Sequence, residues 1–240
     1  MKFDKIHTKN FSKKIRKEGK IKFLIIHYTG MQSKRVSIKR LQDDKIKKRV
    51  SCHYLIDRQG KLVQMVNDNR IAWHAGKSKW NNYKNLNANS IGIELVNKGH
   101  EYGYEIFEKK QINKLIKLLL FLKKKYKIKK SNILGHSDIA PLRKKDPGEK
   151  FPWSKLIKKG LCTTYSKKIK IIDIFQVKKK RVLFFKNLYK IGYRYFQKNK
   201  ISNNDKLIIK AFQRRYLQNN VSGIIDQETL KISYYLANNH

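Results

Sequence analysis

The sequence predicts an α/β fold, with a central mixed β-sheet flanked by helices and followed by a small three-helix bundle. Three observations predict it. Short β-type runs alternate with helical stripes from Lys22 to Leu161, the element order that builds a sheet covered by helices. One run, Phe23-Leu24-Ile25-Ile26, is apolar without alternation, the pattern of a strand buried on both faces. Beyond Cys162 the texture changes to a Lys/Ile-rich connector and then to aromatic and aliphatic residues at helical spacing. The expected segments are a basic leader over 1–19, a first domain over 20–161, a linker over 162–174 and a helical unit over 175–240.

Taken in order, Lys22 to His27 forms the first strand and ends in a histidine followed by Tyr28-Thr29-Gly30. The polar stretch after it carries a helix around Ser37 to Ile46. Ser51 to Asp57 and Lys61 to Val66 are two β-type runs around Arg58-Gln59-Gly60, a hairpin signal. Asn67 to Asn89 is rich in Asn, Trp and Gly with little periodicity, and reads as a long surface loop of the kind that carries function. Ser90 to Asn97 is a strand with Gly92, Glu94 and Val96 on one face and Ile91, Ile93 and Leu95 on the other. Glu108 to Tyr126 has apolar residues at 112, 115, 116, 119, 122 and 126, a helical stripe. Asn132 to Gly135 leads into His136 and an irregular run to Pro152, and Trp153 to Leu161 closes the domain as a helix. Phe175 to Tyr195, Asp205 to Leu217 and Asp226 to Leu236 are the bundle helices, the last two opened by N-cap-type aspartates. Phe212 and Leu217 belong to its core.

With 58 Lys+Arg against 17 Asp+Glu, the 240-residue chain carries a formal charge of +41. At 40% hydrophobic residues it can still bury a core, which excludes wholesale disorder. Only 11 of the basic residues are Arg, and the Lys excess travels with Ile and Asn, the mark of A+T-rich coding displayed on solvated faces. Such a field attracts polyanions without naming one. No apolar stretch approaches the roughly 20 residues that span a bilayer, so no transmembrane segment is expected. Met1 to Lys20 lacks an apolar signal region, which points to a cytoplasmic location. Two cysteines, Cys52 and Cys162, are too few for a disulfide framework.

Among seven histidines, His7, His240 and His100 sit in flanks or a polar loop and carry no expected role. His53, between Cys52 and Tyr54, reads as a hydrogen-bonded core histidine, and His74 falls in the aromatic loop where it could meet a substrate. His27 and His136 each end an apolar approach, where side chains project into a cleft, and Asp146 follows His136 by ten residues in a proline-punctuated loop. Two imidazoles and a carboxylate suffice for zinc, with the fourth tetrahedral position left to water. Ligands so far apart form no spacing signature.

Read together, Ile25-Ile26-His27-Tyr28-Thr29, Ser51 to Ile56, Ala72-Trp73-His74-Ala75-Gly76, Leu86-Asn87, Ser90 to Glu94 and Gly135-His136-Ser137-Asp138-Ile139-Ala140-Pro141 form ordered blocks, which Arg143 to Gly148 extends. These blocks resemble the zinc-dependent N-acetylmuramoyl-L-alanine amidases, the family that shares its fold with phage lysozyme-type amidases and animal peptidoglycan recognition proteins. The resemblance implies one Zn2+ per chain held by His27, His136 and Asp146, with Glu94 as the catalytic acid/base and Lys144 as the second catalytic group. It also implies that Trp73, His74, Ala75 and Asn87 line the groove for a peptidoglycan or muropeptide substrate. Many relatives have a glycine where this chain has Asn82, which puts the turn after Ser78-Lys79-Trp80 in question. Ala211 to Tyr216 and Gly223 to Leu230 resemble a small peptidoglycan-binding helical module.

The resemblance thus implies hydrolysis of the amide between N-acetylmuramic acid, ordinary or 1,6-anhydro, and L-alanine of the stem peptide. Relatives with a C-terminal bundle resemble envelope enzymes, so the periplasm or cell envelope is the alternative location. If the bundle is a wall-binding module, deleting 170–240 weakens attachment to intact sacculi more than cleavage of a small soluble muropeptide. A non-catalytic peptidoglycan receptor on the same fold is disfavoured by the full set of His27, His136, Asp146 and Glu94. A nucleic-acid-binding protein is disfavoured because the lysines are spread along the chain with no recognition motif.

Overall fold

The structure is a computed structural model that describes residues 3–165 and 179–239. Residues 166–174 of the expected linker, the expected first turns of the bundle at 175–178, and His240 lie outside the described residues. In chain order the elements are β1 (Asp4–Lys5), β2 (Phe11–Ser12), β3 (Phe23–Tyr28), α1 (Lys34–Gln42), β4 (Tyr54–Ile56), β5 (Leu62–Gln64) and β6 (Ile71–Ala72). There follow β7 (Lys79–Trp80), β8 (Tyr83–Lys84), β9 (Ser90–Leu95), α2 (Lys109–Lys125), β10 (Ile133–Gly135), α3 (His136–Ile139) and α4 (Trp153–Ile157). The helical unit contributes α5 (Lys180–Ile191), α6 (Asp205–Tyr216) and α7 (Gln227–Asn238).

The central sheet has the order β1-β5-β4-β9-β3-β10. It is mixed, as expected: β4, β9, β3 and β10 are parallel, while β5 runs against β4 and carries β1 parallel to itself. Because β10, β3 and β9 are parallel neighbours, their carboxyl ends fall on one edge, where ligands bind in open α/β sheets.

Alternating side chains feed separate cores. Leu24 and Ile26 of β3 join Ile91, Ile93 and Leu95 of β9 beneath α2, whose stripe Ile112, Leu115, Leu119 and Leu122 meets them. Phe23 and Ile25 point the other way, with Leu134, into Phe184, Phe185, Leu188, Phe212 and Leu230 of the helical unit. On that same face Leu41 of α1 covers Leu55 and Val63 of β4 and β5. The continuous apolar run of β3 is therefore covered on both sides, and the core of α5–α7 is continuous with the sheet.

Several boundaries move for local reasons. The helix expected at Ser37–Ile46 begins earlier, because Ser33 caps it by accepting from the Val36 N–H at 3.2 Å. The segment 67–89 is not all loop: it holds β6 and the β7–β8 hairpin, in which Trp80 pairs with Tyr83 across Asn81-Asn82. Asn81 takes the left-handed conformation at φ 49°, which asparagine tolerates, so a glycine at 82 is not required. Helix α4 is shorter than expected, ending at Ile157. Asp226 caps α7 by accepting from the Thr229 N–H at 2.7 Å, but Asp205 lies inside α6 and binds Arg181 Nε at 2.7 Å instead of capping. Both cysteines are free and buried, and among the described residues no helix is long and apolar enough to cross a membrane.

Candidate active site

Sheet register brings the site together. His27, near the end of β3, is the register partner of Glu94 on β9, so the two side chains share a face. His136 follows β10 directly on the other side of β3. The loop after α3 returns to the same edge, where the Ser137 N–H donates to the Asp146 carbonyl at 2.8 Å. His27 Nδ1, His136 Nδ1 and Asp146 Oδ2 thereby converge, each 3.0 Å from the other two. All three residues are buried, and these atoms alone form the His/Cys/Asp/Glu cluster of metal-binding geometry among the described residues.

The surrounding hydrogen bonds fix which ring nitrogens carry lone pairs. His136 Nε2 lies 3.1 Å from the Ala75 carbonyl and 3.2 Å from Arg143 Nη2, which itself donates to that carbonyl; with Nε2 donating to the carbonyl, Nδ1 is free for a cation. For His27 the chain is longer. The Ser90 hydroxyl donates to the Leu86 carbonyl at 2.6 Å, and so accepts from His74 Nε2 at 3.1 Å. His74 Nδ1 is then an acceptor for His27 Nε2 at 3.0 Å, leaving His27 Nδ1 free. Two lone pairs and a carboxylate oxygen converge on one point, which is the donor set of a cation. Tetrahedral zinc with ligands at about 2.0–2.1 Å separates them by roughly 3.3 Å, close to the spacing found. The residues fit a divalent metal with imidazole and carboxylate ligands.

Electrostatics agree with this assignment. Burial first, then the neighbouring His136, lowers His27 to about 4, so its imidazole is neutral at physiological pH. Burial would raise the Asp146 carboxyl, but His136 and His27 together hold it below the usual range. Glu94 is pushed up to about 8 by burial, with Asp146 adding to the rise and Lys144 opposing it. Its Oε2 is buried and has no hydrogen-bond partner, so the carboxyl is poised to exchange a proton with whatever enters.

A cleft of about 360 Å³ opens onto these atoms, between α1 on one side and the loop from α3 to Asp146 on the other, and is lined by Trp73, His74, Glu94 and Lys144. Trp73 is held under Arg49, whose guanidinium carbon lies 5.1 Å from the ring centroid. His74 is only 8% exposed, and its main bonds run to His27 and Ser90, which makes it a support for the ligand. Ala75 and Asn87 lie behind the wall and do not line this cleft. Ala75 is fully buried, and Asn87 Oδ1 accepts from the His74 and Ala75 N–H groups, so both residues hold the loop in place.

His53 is a core histidine, as expected, accepting from the Gly92 N–H and facing the Arg70 carbonyl. His100 was given no role by its sequence context, yet it lines the cleft. It faces the Tyr28 hydroxyl at 2.8 Å and stacks on Tyr104, and its hydrogen bond to Glu149 holds that carboxyl down to about 2. Nothing local marks His100, because its partners lie 72 and 49 positions away. Arg143 donates to the Ala75 and Lys77 carbonyls and ties the 75–77 loop to the segment bearing Asp146.

The family model described as N-acetylmuramoyl-L-alanine amidase matches residues 17–149, more than half of the chain. The chain belongs to the N-acetylmuramoyl-L-alanine amidase family. It is 40% identical over 154 residues to the N-acetylmuramoyl-L-alanine amidase AmiD of Escherichia coli K12, across 59% of this chain and 54% of that protein. It is 42% identical over 110 residues to the 1,6-anhydro-N-acetylmuramyl-L-alanine amidase AmpD of Haemophilus influenzae, across 45% of this chain and 58% of that protein. The chain thus spans little more than half the length of these two amidases. Among solved structures, E. coli AmiD in complex with anhydro-N-acetylmuramic acid-L-Ala-D-γ-Glu-L-Lys superposes with a TM-score of 0.80 at 31% identity, over 92% of this chain and 90% of that one. AmpDH3 of Pseudomonas aeruginosa in complex with anhydromuramic pentapeptide also gives 0.80, at 28% identity, over 95% and 94%. The amidase fold, a mixed sheet with flanking helices, is common to them.

Proposed function

We propose that this chain is a zinc hydrolase that cleaves the amide between N-acetylmuramic acid, in its ordinary or 1,6-anhydro form, and L-alanine of the stem peptide. The observation that carries the reading is the convergence of His27 Nδ1, His136 Nδ1 and Asp146 Oδ2 at 3.0 Å from one another, beside an unpartnered Glu94 carboxyl. Family membership and the muropeptides bound in the AmiD and AmpDH3 structures support it.

His27, His136 and Asp146 would hold one zinc ion, the two neutral imidazoles and one carboxylate leaving a single net positive charge. Zinc so held supplies a water whose pKa falls from about 15.7 to about 7 and a Lewis acid for the scissile carbonyl. Glu94 takes the water proton and returns it to the departing L-alanine nitrogen. Burial raises the Glu94 carboxyl in the metal-free chain, and beside a bound zinc ion it falls back toward the anion that accepts the proton. Lys144 faces the same cleft and is the cation that opposes the rise at Glu94. It stabilises the negative charge developing on the carbonyl oxygen, a contribution of a few kcal/mol. Trp73 forms the groove wall, while Arg40, Arg143 and Lys145 on the cleft lining attract the carboxylates of a stem peptide.

The test is mass spectrometry of products from anhydro and ordinary muropeptides, using chain stripped of metal and then given stoichiometric zinc. Release of free stem peptide and sugar acid only after zinc addition is expected. A chain that stays inert with zinc bound is not this hydrolase.

A further inference from the structure

Two residues after His136, Asp138 is 1% exposed and fully engaged. Its Oδ2 accepts from the Gly135 N–H at 2.7 Å and from Arg215 Nη1 at 2.7 Å, and its Oδ1 accepts from the Tyr193 hydroxyl at 2.6 Å. Arg215 belongs to α6, and Tyr193 follows α5. Arg215 Nη2 also donates to the Ile133 carbonyl on β10 at 2.9 Å, and its guanidinium lies over the Trp153 ring at 4.2 Å. The helical unit therefore grips the strand that leads into His136 and the turn that follows it. A second grip lies at Gly192. Its carbonyl accepts from the Asn81 N–H at 2.8 Å, and at φ +132° a Cβ there would sit 2.5 Å from the Trp80 ring.

The geometry points to Arg215 and Tyr193 as positioning residues for His136, so that α5 and α6 complete the metal centre and do not merely follow it. The reasons are those of charge and rigidity. A carboxylate as buried as Asp138 is tolerable only with a hydrogen-bonded cation beside it, and Arg215, a planar fork held by three partners, is that cation. With Arg215 removed, Asp138 loses its cation and the Ile133 carbonyl loses its donor. The Gly135–Asp138 turn that aims His136 Nδ1 is then held from one side only, and shifts. Supports of this kind around a ligand are worth about 10–100-fold in metal affinity, and one a step further out is expected to give about tenfold.

This inference rests on His136 being a metal ligand. The 240-residue chain, Arg215→Met, Tyr193→Phe and Leu236→Ala are compared by zinc competition against a chromophoric chelator, below the melting temperature of each. Leu236 is buried in α7, which supplies none of the hydrogen bonds to Asp138, so it reports loss of bundle stability. We expect about tenfold weaker zinc binding in Arg215→Met, a smaller loss in Tyr193→Phe, and a lowered melting temperature with unchanged zinc affinity in Leu236→Ala. On a soluble muropeptide, kcat falls in Arg215→Met while KM holds. Zinc affinity within twofold of wild type in Arg215→Met overturns the inference, as does an equal loss in Leu236→Ala. If Arg215→Met does not fold, an unchanged affinity in Tyr193→Phe overturns it. A wild-type chain that holds no zinc removes the metal centre itself, and this inference with it.

Discussion

Glu94 is half-buried, with its Oε2 shut away from solvent, and must still ionise. Burial pushes its carboxyl up to about 8, so in the metal-free chain it keeps its proton at neutral pH. An unfolded carboxyl titrates near 4.5, so between the two values the native state holds a proton that the unfolded state has lost. The Glu94 contribution to the stability of the metal-free protein therefore declines as pH rises from about 4.5 through about 8, while the buried, neutral His27 works the other way below about 6.5. Glu94→Gln removes that decline. In chelator, urea unfolding is expected to find the variant level with wild type at pH 5 and about 2 kcal/mol more stable at pH 8.5, an amount discounted for the openness of the cleft. The same variant should keep zinc and lose about 10²–10⁴ in turnover. A Glu94→Gln protein less stable than wild type at high pH would mean that the carboxylate is satisfied as an anion.

On the scale of elements, β9 does more than carry Glu94. A Cβ on Gly92 would lie 2.3 Å from His74 Cγ, so this strand is kept bare for the ring that orients His27. In Gly92→Ala the imidazole has to move, which breaks the chain from the Leu86 carbonyl to His27. About 1–3 kcal/mol of overpacking is expected in a thermal melt, along with a 10–100-fold loss of zinc affinity by chelator competition. Undiminished affinity would show that His27 orients itself without His74. The strands β3 and β9 and helix α2 are legible in the sequence because their periodicity is local and long enough to repeat. The two-residue strands β6, β7 and β8 are not, since alternation needs more residues than they have. The ligand trio is legible only through its neighbours, as ordered motif blocks, because the pairing of β3 with β10 and the return of the loop that carries Asp146, not spacing along the chain, bring it together. The supporting role of His74 leaves no local trace, its partner His27 being 47 positions away.

For the molecule as a whole, the helical unit is half of a sandwich. Without α5–α7, the apolar side chains Phe23, Ile25, Trp80, Leu134 and Ile139, each at most 2% exposed now, would form one bare patch, of the sort that causes association. A chain ending at Tyr165 is therefore expected to be aggregated, or to melt at least about 10 °C lower, and to lose turnover on a small soluble muropeptide as well as attachment to sacculi. Light scattering, thermal melts and the two assays in parallel decide it. A monomeric truncated chain with full turnover on the small substrate would make the bundle a detachable module. The sequence held a trace of this dependence in the unbroken apolar run of β3, which needs cover on both sides, although the run does not say which later segment supplies the second cover.

That dependence also bears on how the protein is made. Translation releases α6 and α7 roughly 180–210 residues after β3, about 10–40 s later at about 5–20 residues per second. Throughout that interval the nascent chain offers one greasy flank to the cell. The yield of active protein is then decided before α7 emerges, by whether that flank stays shielded until the helical unit arrives to cover it.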